Sequence, residues 1–256
     1  MNSSADTARF IREQIPANGL FAGLDWRISP APFPLGENLA KEIESLGRVL
    51  LQFYRAVNLL YRKSVEGRQP EWVARWLDLG KPHELIELQR SSAFKNEMPR
   101  VIRPDILLTE NGFSITELDS VPGGIGLTAW LNQTYSKSEI RNPKSEIVGG
   151  TDGMIRGFES IFGDAKQVHI VVSEEAATYK PEMIWLSRQL GARFTVHDSR
   201  FNDFAGGSAV YRFFELFDLA NVANAKRIFE LAAEKKIRVT PPPKPVFEEK
   251  MLFALL

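Results

Sequence analysis

Residues 103–124 read RPDILLTENGFSITELDSVPGG, and the way this run folds decides what the rest of the chain is built around. A short apolar run, Ile106-Leu107-Leu108, leads into Glu110-Asn111-Gly112 and then into Phe113, Ile115 and Leu118. An Asn-Gly pair between two such runs is a strong hairpin signal, because both residues tolerate the positive φ values of a tight turn. The expectation is a two-stranded antiparallel hairpin over residues 105–118. Asp105 then begins one strand and Glu117 ends its partner, so the turn sets two carboxylates side by side. Asp119, two residues beyond Glu117, shares its face by strand periodicity.

Like charges that close need a cation. Magnesium suits the set, because it takes oxygen ligands and is usually shared between one or two protein carboxylates and substrate phosphates. Arg103, on the approach to the first strand, is placed to hold an anionic oxygen that gains charge in a transition state. Gly123, Gly124 and Gly126 let backbone come close to a ligand. The residues equally admit a plainer reading, a surface cluster of ion pairs at a hairpin end.

Downstream, Val168-His169-Ile170-Val171-Val172 is a strand of the buried type, Pro181 to Leu190 a helix closed by Gly191, and Phe194 to Val196 the next strand. This is a βαβ unit with a right-handed crossover. Ala209 to Phe213, Asn221 to Lys235 and Ile237 to Thr240 add a strand, a helix and a strand, making a small open parallel sheet. Ser173-Glu174-Glu175 follows a strand where open sheets bind ligands, although a plain helix N-terminus is the preferred reading. Residues 136–152, rich in Lys, Ser, Asn and Gly, read as a loop.

Upstream, Leu39, Ile43, Leu46, Leu50, Phe53, Val57 and Leu60 recur in steps of four and three, which predicts an amphipathic helix from Glu37 to about Val65, closed by Gly67. Trp72, Val73, Trp76 and Leu77 continue the spacing in a shorter helix whose aromatic stripe reads as core. Pro82 opens another helix running towards Phe94. Residues 16–36, with Pro30, Pro32 and Pro34 alternating, read as extended coil. After Pro241-Pro242-Pro243, the segment from Phe247 to Leu256 reads as the start of an amphipathic helix. The fold class is therefore mixed α/β.

Composition narrows the chemistry. The chain has 256 residues, is 44% hydrophobic and balances 32 basic against 32 acidic side chains, so no overall field draws it to nucleic acid or an anionic membrane. With no cysteine, thiolate metal sites and thiol nucleophiles are excluded. His83, His169 and His197 lack metal-ligand spacing, and His169 inside an apolar strand reads as a satisfied core residue. No stretch reads as a signal peptide or a membrane span, which makes a cytoplasmic location the expectation.

The run from Arg103 to Gly124 resembles a motif of the circularly permuted ATP-grasp ligases, the glutathionylspermidine synthetase and eukaryotic-type glutathione synthetase kind. There an Arg-x-Asp strand pairs with a strand ending Glu-x-Asn. The resemblance implies that Asp105, Glu117 and Asp119 hold magnesium and that Arg103 stabilises acyl-phosphate chemistry. Asp119 stands where the family commonly has Asn, which keeps an oxygen ligand and adds a charge. It further implies that Ser120, Gly123 and Gly124 touch a peptide substrate, that Arg212 in AVYRFFEL binds a substrate carboxylate, and that Lys250 contacts ATP phosphates. For Arg212 a buried structural pair with Glu215 is an equal reading.

The implied function is an ATP- and magnesium-dependent ligase joining a small-molecule carboxylate or peptide to an amine. The implied organisation is a helical region with a partial ATP-grasp hairpin over 1–165, a βαβ substrate-type domain over 166–243, and the start of a nucleotide-binding subdomain over 244–256. No G-x-x-x-x-G-K-S/T or G-x-G-x-x-G loop occurs elsewhere. The chain is thus expected to stop before its nucleotide-binding half, with an incomplete ATP site. A non-catalytic ligand- or partner-binding module, or an inactive fragment, is the competing reading.

Overall fold

The computed structural model describes residues 3–16, 27–110, 112–137 and 146–255. Four helices come first: α1 (Ser4–Glu13), α2 (Glu37–Val65), α3 (Glu71–Asp78) and α4 (His83–Arg90). The hairpin β1 (Arg103–Thr109) and β2 (Gly112–Asp119) follows, then α5 (Ile125–Tyr135) and α6 (Gly153–Ser160). The remainder alternates as β3 (Val168–Val172), α7 (Lys180–Leu190), β4 (Phe194–Asp198), β5 (Ala209–Phe213), α8 (Ala225–Ala233) and β6 (Arg238–Thr240). Asn111, Leu256 and parts of the two expected coils (17–26 and 138–145) lie outside the described residues.

The four-stranded sheet runs β4-β3-β5-β6 and every neighbouring pair is parallel. A parallel sheet must be covered on both faces, and side-chain alternation divides the work. Val168, Ile170, Val172, Tyr211 and Phe213 join one core with residues of α5, α6 and α7. Val171 and Val210 join another with α8, Leu85 and Phe94. His169 shares the second face, its Nδ1 3.0 Å from Nε2 of His197 on β4. Burial, then the neighbouring His169, lowers the His197 pKa to about 4.

The helical region closes over the end of the chain. From Leu50 onward α2 sinks Tyr54, Val57 and Tyr61 into a core with Val73 and Leu77 of α3 and with Val246, Phe247 and Leu252. The Tyr54 and Phe247 rings lie 4.9 Å apart. Lys244, 1% exposed, reaches Asn58 of α2 and donates to the Glu97 carbonyl at 3.2 Å. Burial first, and Arg62 second, lower its pKa to about 8.

Two expectations need correction, and one helix was not expected. Trp72 and Trp76 are 45% and 50% exposed, because α3 turns Val73, Ala74 and Leu77 inward and carries the indoles on its outer face. The segment after Pro243 does not form an α-helix: Pro245–Phe247 and Lys250–Leu255 are tight 3₁₀ turns. These turns seat Val246, Phe247 and Leu252 in the core between α2 and α3, and that burial stands in for a helical face. Helix α6 lies where no periodicity predicts one. It buries Ile155 and Phe158 on the sheet. No helix among the described residues is long and apolar enough to cross a membrane.

Candidate active site

The hairpin register decides the geometry. A two-residue connection aligns Thr109 with Gly112, Leu108 with Phe113, Leu107 with Ser114 and Ile106 with Ile115. Continued without interruption, it would set Asp105 against Thr116 and turn Glu117 to the other face. A bulge between Asp105 and Ile106 shifts the register by one, so Asp105 opposes Glu117 and Arg103 opposes Asp119. The extra residue is Thr116, whose hydroxyl donates to the Asp105 carbonyl at 3.3 Å. Bulges re-aim side chains in this way. The expected pairing is present, but the bulge, not the turn alone, produces it.

All four charged side chains therefore share one face of the hairpin. Arg103 lies between two of them: Nε donates to Asp105 at 2.9 Å, and Nη2 lies 3.3 Å from Asp119. Its Nη1 donates to the Gly123 carbonyl at 3.3 Å. Asp119 also accepts the Val121 N–H at 2.7 Å. Burial raises the Asp119 pKa, the Val121 N–H and Arg103 oppose the shift, and Glu117 and Glu248 add to it. Glu117 pairs with Lys250 at 3.2 Å. Lys250 thus arrives beside the hairpin acids.

Arg103, Asp119 and Gly123 open onto a recess of about 190 Å³ whose other walls include Ser173, Tyr179 and Glu215. Ser173 directly follows β3, and Glu215 lies just beyond β5. From β3 the chain passes to β4 on one side and later returns to β5 on the other, so the recess sits at a switch point outside the carboxyl ends of the strands, where open α/β sheets bind ligands. The expected Ser173 position is at the recess. Glu174 is exposed, and Glu175 begins a 3₁₀ turn and also lines the recess.

Glu215 and Glu248 are the acids that the sequence reading did not single out for this site. Glu248 is committed to Arg212 and to the Leu216 N–H at 2.9 Å. Burial, then the charge and hydrogen bond of Glu248, raise the Glu215 pKa to about 8, while Arg212 opposes the shift. Glu215 therefore holds its proton far more tightly than an ordinary glutamate. Its position just after a strand of the parallel sheet was the available signal.

Other expected substrate contacts fall elsewhere. Arg212 is 0% exposed, with Nε donating to Pro241 at 2.9 Å, Nη1 to Phe214 at 2.6 Å and Nη2 to Pro242 at 3.1 Å, in addition to Glu248. A substrate carboxylate cannot reach it. Its partner is Glu248, not the expected Glu215. Ser120 is 1% exposed, and its hydroxyl finds no partner among the described residues.

The glycines serve protein contacts. A Cβ on Gly123 would meet the Tyr179 ring at 2.5 Å, and one on Gly126 would meet the Glu182 carbonyl oxygen at 2.5 Å. Gly124 adopts φ +84° ahead of α5, a conformation that favours glycine. Glu182, 5% exposed, fills the N-terminus of α5 and accepts N–H bonds from Gly124 at 2.7 Å and Leu127 at 3.1 Å. Its pKa is raised by burial, against the pull of those N–H groups. This helix end is thereby capped by the protein's own carboxylate.

Among the described residues, no group of three or more His, Asp or Glu side chains is gathered tightly enough to hold a metal. The opposed Asp105 and Glu117 remain a two-carboxylate set of hard oxygen donors, of the kind magnesium shares with phosphate. Comparison with known proteins found no matching family model, no matching curated protein and no matching solved structure.

Proposed function

We propose that the chain carries the acid-metal half of an ATP- and magnesium-dependent carboxylate-amine ligase of the ATP-grasp type. The carrying observation is the bulged register that sets Asp105 against Glu117 and Arg103 against Asp119, on a face opening to the recess beyond β3 and β5. Asp105 and Glu117 would hold magnesium, with Asp119 beside them. When bound, the metal would screen phosphate charge and polarise a phosphoryl oxygen. Arg103 offers a fork of donors to an anionic oxygen. Lys250, 76% exposed at its side chain, is free to swing from Glu117 to a phosphate. The recess would take the acid, a peptide or amino acid. A nucleotide would phosphorylate its carboxylate and an amine would displace the phosphate.

One observation favours the second reading, a non-catalytic binding module or inactive fragment. Each hairpin carboxylate already has a cationic side chain within 3.3 Å, Arg103 for Asp105 and Asp119 and Lys250 for Glu117. Release of ADP from Mg-ATP by the chain together with a nucleotide-binding half, with panels of amino acids, short peptides and amines, separates the two. The ligase reading expects acid-dependent ADP release that falls at least about a hundredfold in Glu117→Ala. Turnover unchanged by that substitution removes the site assignment, and absence of turnover with every pair favours the module.

A further inference from the structure

A second recess, of about 110 Å³, lies against the edge strand β6, the start of β5 and the turn that ends α6. Its walls are apolar, with Phe94, Phe162, Ala232 and Ile237 among them. Its charged lining consists of Arg100, Lys235, Arg238 and a single carboxylate, Glu97. Lys235 engages Glu97 at 3.6 Å. Arg238 reaches Asp164 at 3.0 Å, but the Asp164 side chain is 96% exposed and contributes little counter-charge.

The two guanidinium groups are held in place from behind. Arg100 Nη1 donates to the Ile161 carbonyl and Arg238 Nη2 to the Phe162 carbonyl, each at 3.0 Å. Capping the carbonyl end of α6 is reason enough for those two bonds. It leaves Nε and Nη2 of Arg100, and Nε and Nη1 of Arg238, without an acceptor among the described residues. Thr240 also lines the recess, is 6% exposed, and its buried hydroxyl has no partner among the described residues. A cationic rim held rigidly over an apolar floor selects a ligand that is anionic at one end and hydrocarbon at the other. At about 110 Å³ the recess is smaller than the 190 Å³ recess beside the hairpin and suits a short hydrocarbon tail.

We propose that this recess is a binding site for a short-chain carboxylate, its headgroup on Arg100 and Arg238 and its tail against Phe94, Phe162 and Ile237. The proposal makes no use of the hairpin site and stands or falls apart from it. The test is an amide-resolved NMR titration of the full chain with sodium butyrate at low ionic strength, with sodium chloride and butylammonium chloride as controls.

Saturable shifts at Ile161, Phe162, Lys235 and Thr240 are expected with butyrate and with neither control. Arg100→Gln should weaken the affinity about tenfold, the loss of one charge-assisted contact. Ala232→Leu keeps every charge and fills the floor, so it should abolish saturation while the remaining spectrum stays dispersed. Shifts that grow linearly, that chloride reproduces, or that persist at full affinity in Ala232→Leu would overturn the proposal.

Discussion

Replacing Arg212 with Met is expected to destabilise the fold by about 3–5 kcal/mol, the range for breaking a buried ion pair by removing one partner. The guanidinium is completely buried and ties three backbone carbonyls, at Phe214, Pro241 and Pro242, to Glu248. Methionine fills much of the volume but returns no hydrogen bond, so Glu248 and the carbonyls stay buried and unmatched. Urea denaturation followed by circular dichroism measures the loss. A substrate-binding arginine would behave differently, raising KM with little change in the midpoint. A shift below about 1 kcal/mol would contradict the structural assignment.

The second large effect is a pH dependence traced to Glu215. Its folded pKa of about 8 stands above the 4.5 of an ordinary glutamate, because burial and then Glu248 disfavour its charge. The folded state therefore binds the proton more tightly than the unfolded chain. That stabilisation is fully present below pH 4.5 and is lost as pH rises through about 8.

Glu215 is half-buried, so the loss is on the order of 1–2 kcal/mol once solvent screening is allowed for. Two other groups act with the opposite slope. The lowered His197 pKa, about 4, removes stability as pH falls from 6.5 through that value. The lowered Lys244 pKa, about 8, does so as pH falls from 10.5 to 8. Both cancel when Glu215→Gln is compared with the parent between pH 6.5 and 8.5. The parent should lose stability relative to the variant across that window, and parallel profiles would remove Glu215 from the account.

These two residues also mark what could be read in advance. The span Glu37–Val65 was legible because its apolar steps of four and three carry the helix period over many turns. The parallel strands were legible because each is a short run built on β-branched, aromatic or other apolar residues, Val168-His169-Ile170-Val171-Val172 most clearly. The hairpin was legible from Asn111-Gly112, but its bulge was not: nothing about Thr116 distinguishes an extra residue from a paired one until the register is known. Without that extra residue Asp105 and Glu117 would not share a face.

Helix α6 escaped notice because two glycines, Gly153 and Gly157, interrupt eight residues. The outward Trp72 and Trp76 show that a helical aromatic stripe does not say which face is buried. The link from Arg212 to Glu248 depends on the end of the chain folding back beneath β5. Local pattern carries no such information.

Asp105 and Glu117 are proposed to form a magnesium platform for a phosphate-bearing nucleotide. Isothermal titration of the chain with ATP, in the presence and absence of magnesium, tests it most directly when repeated on Glu117→Gln. Saturable binding that requires magnesium and weakens by about tenfold or more in the variant is expected. Binding that ignores magnesium, survives Glu117→Gln unchanged, or does not occur at all would contradict it.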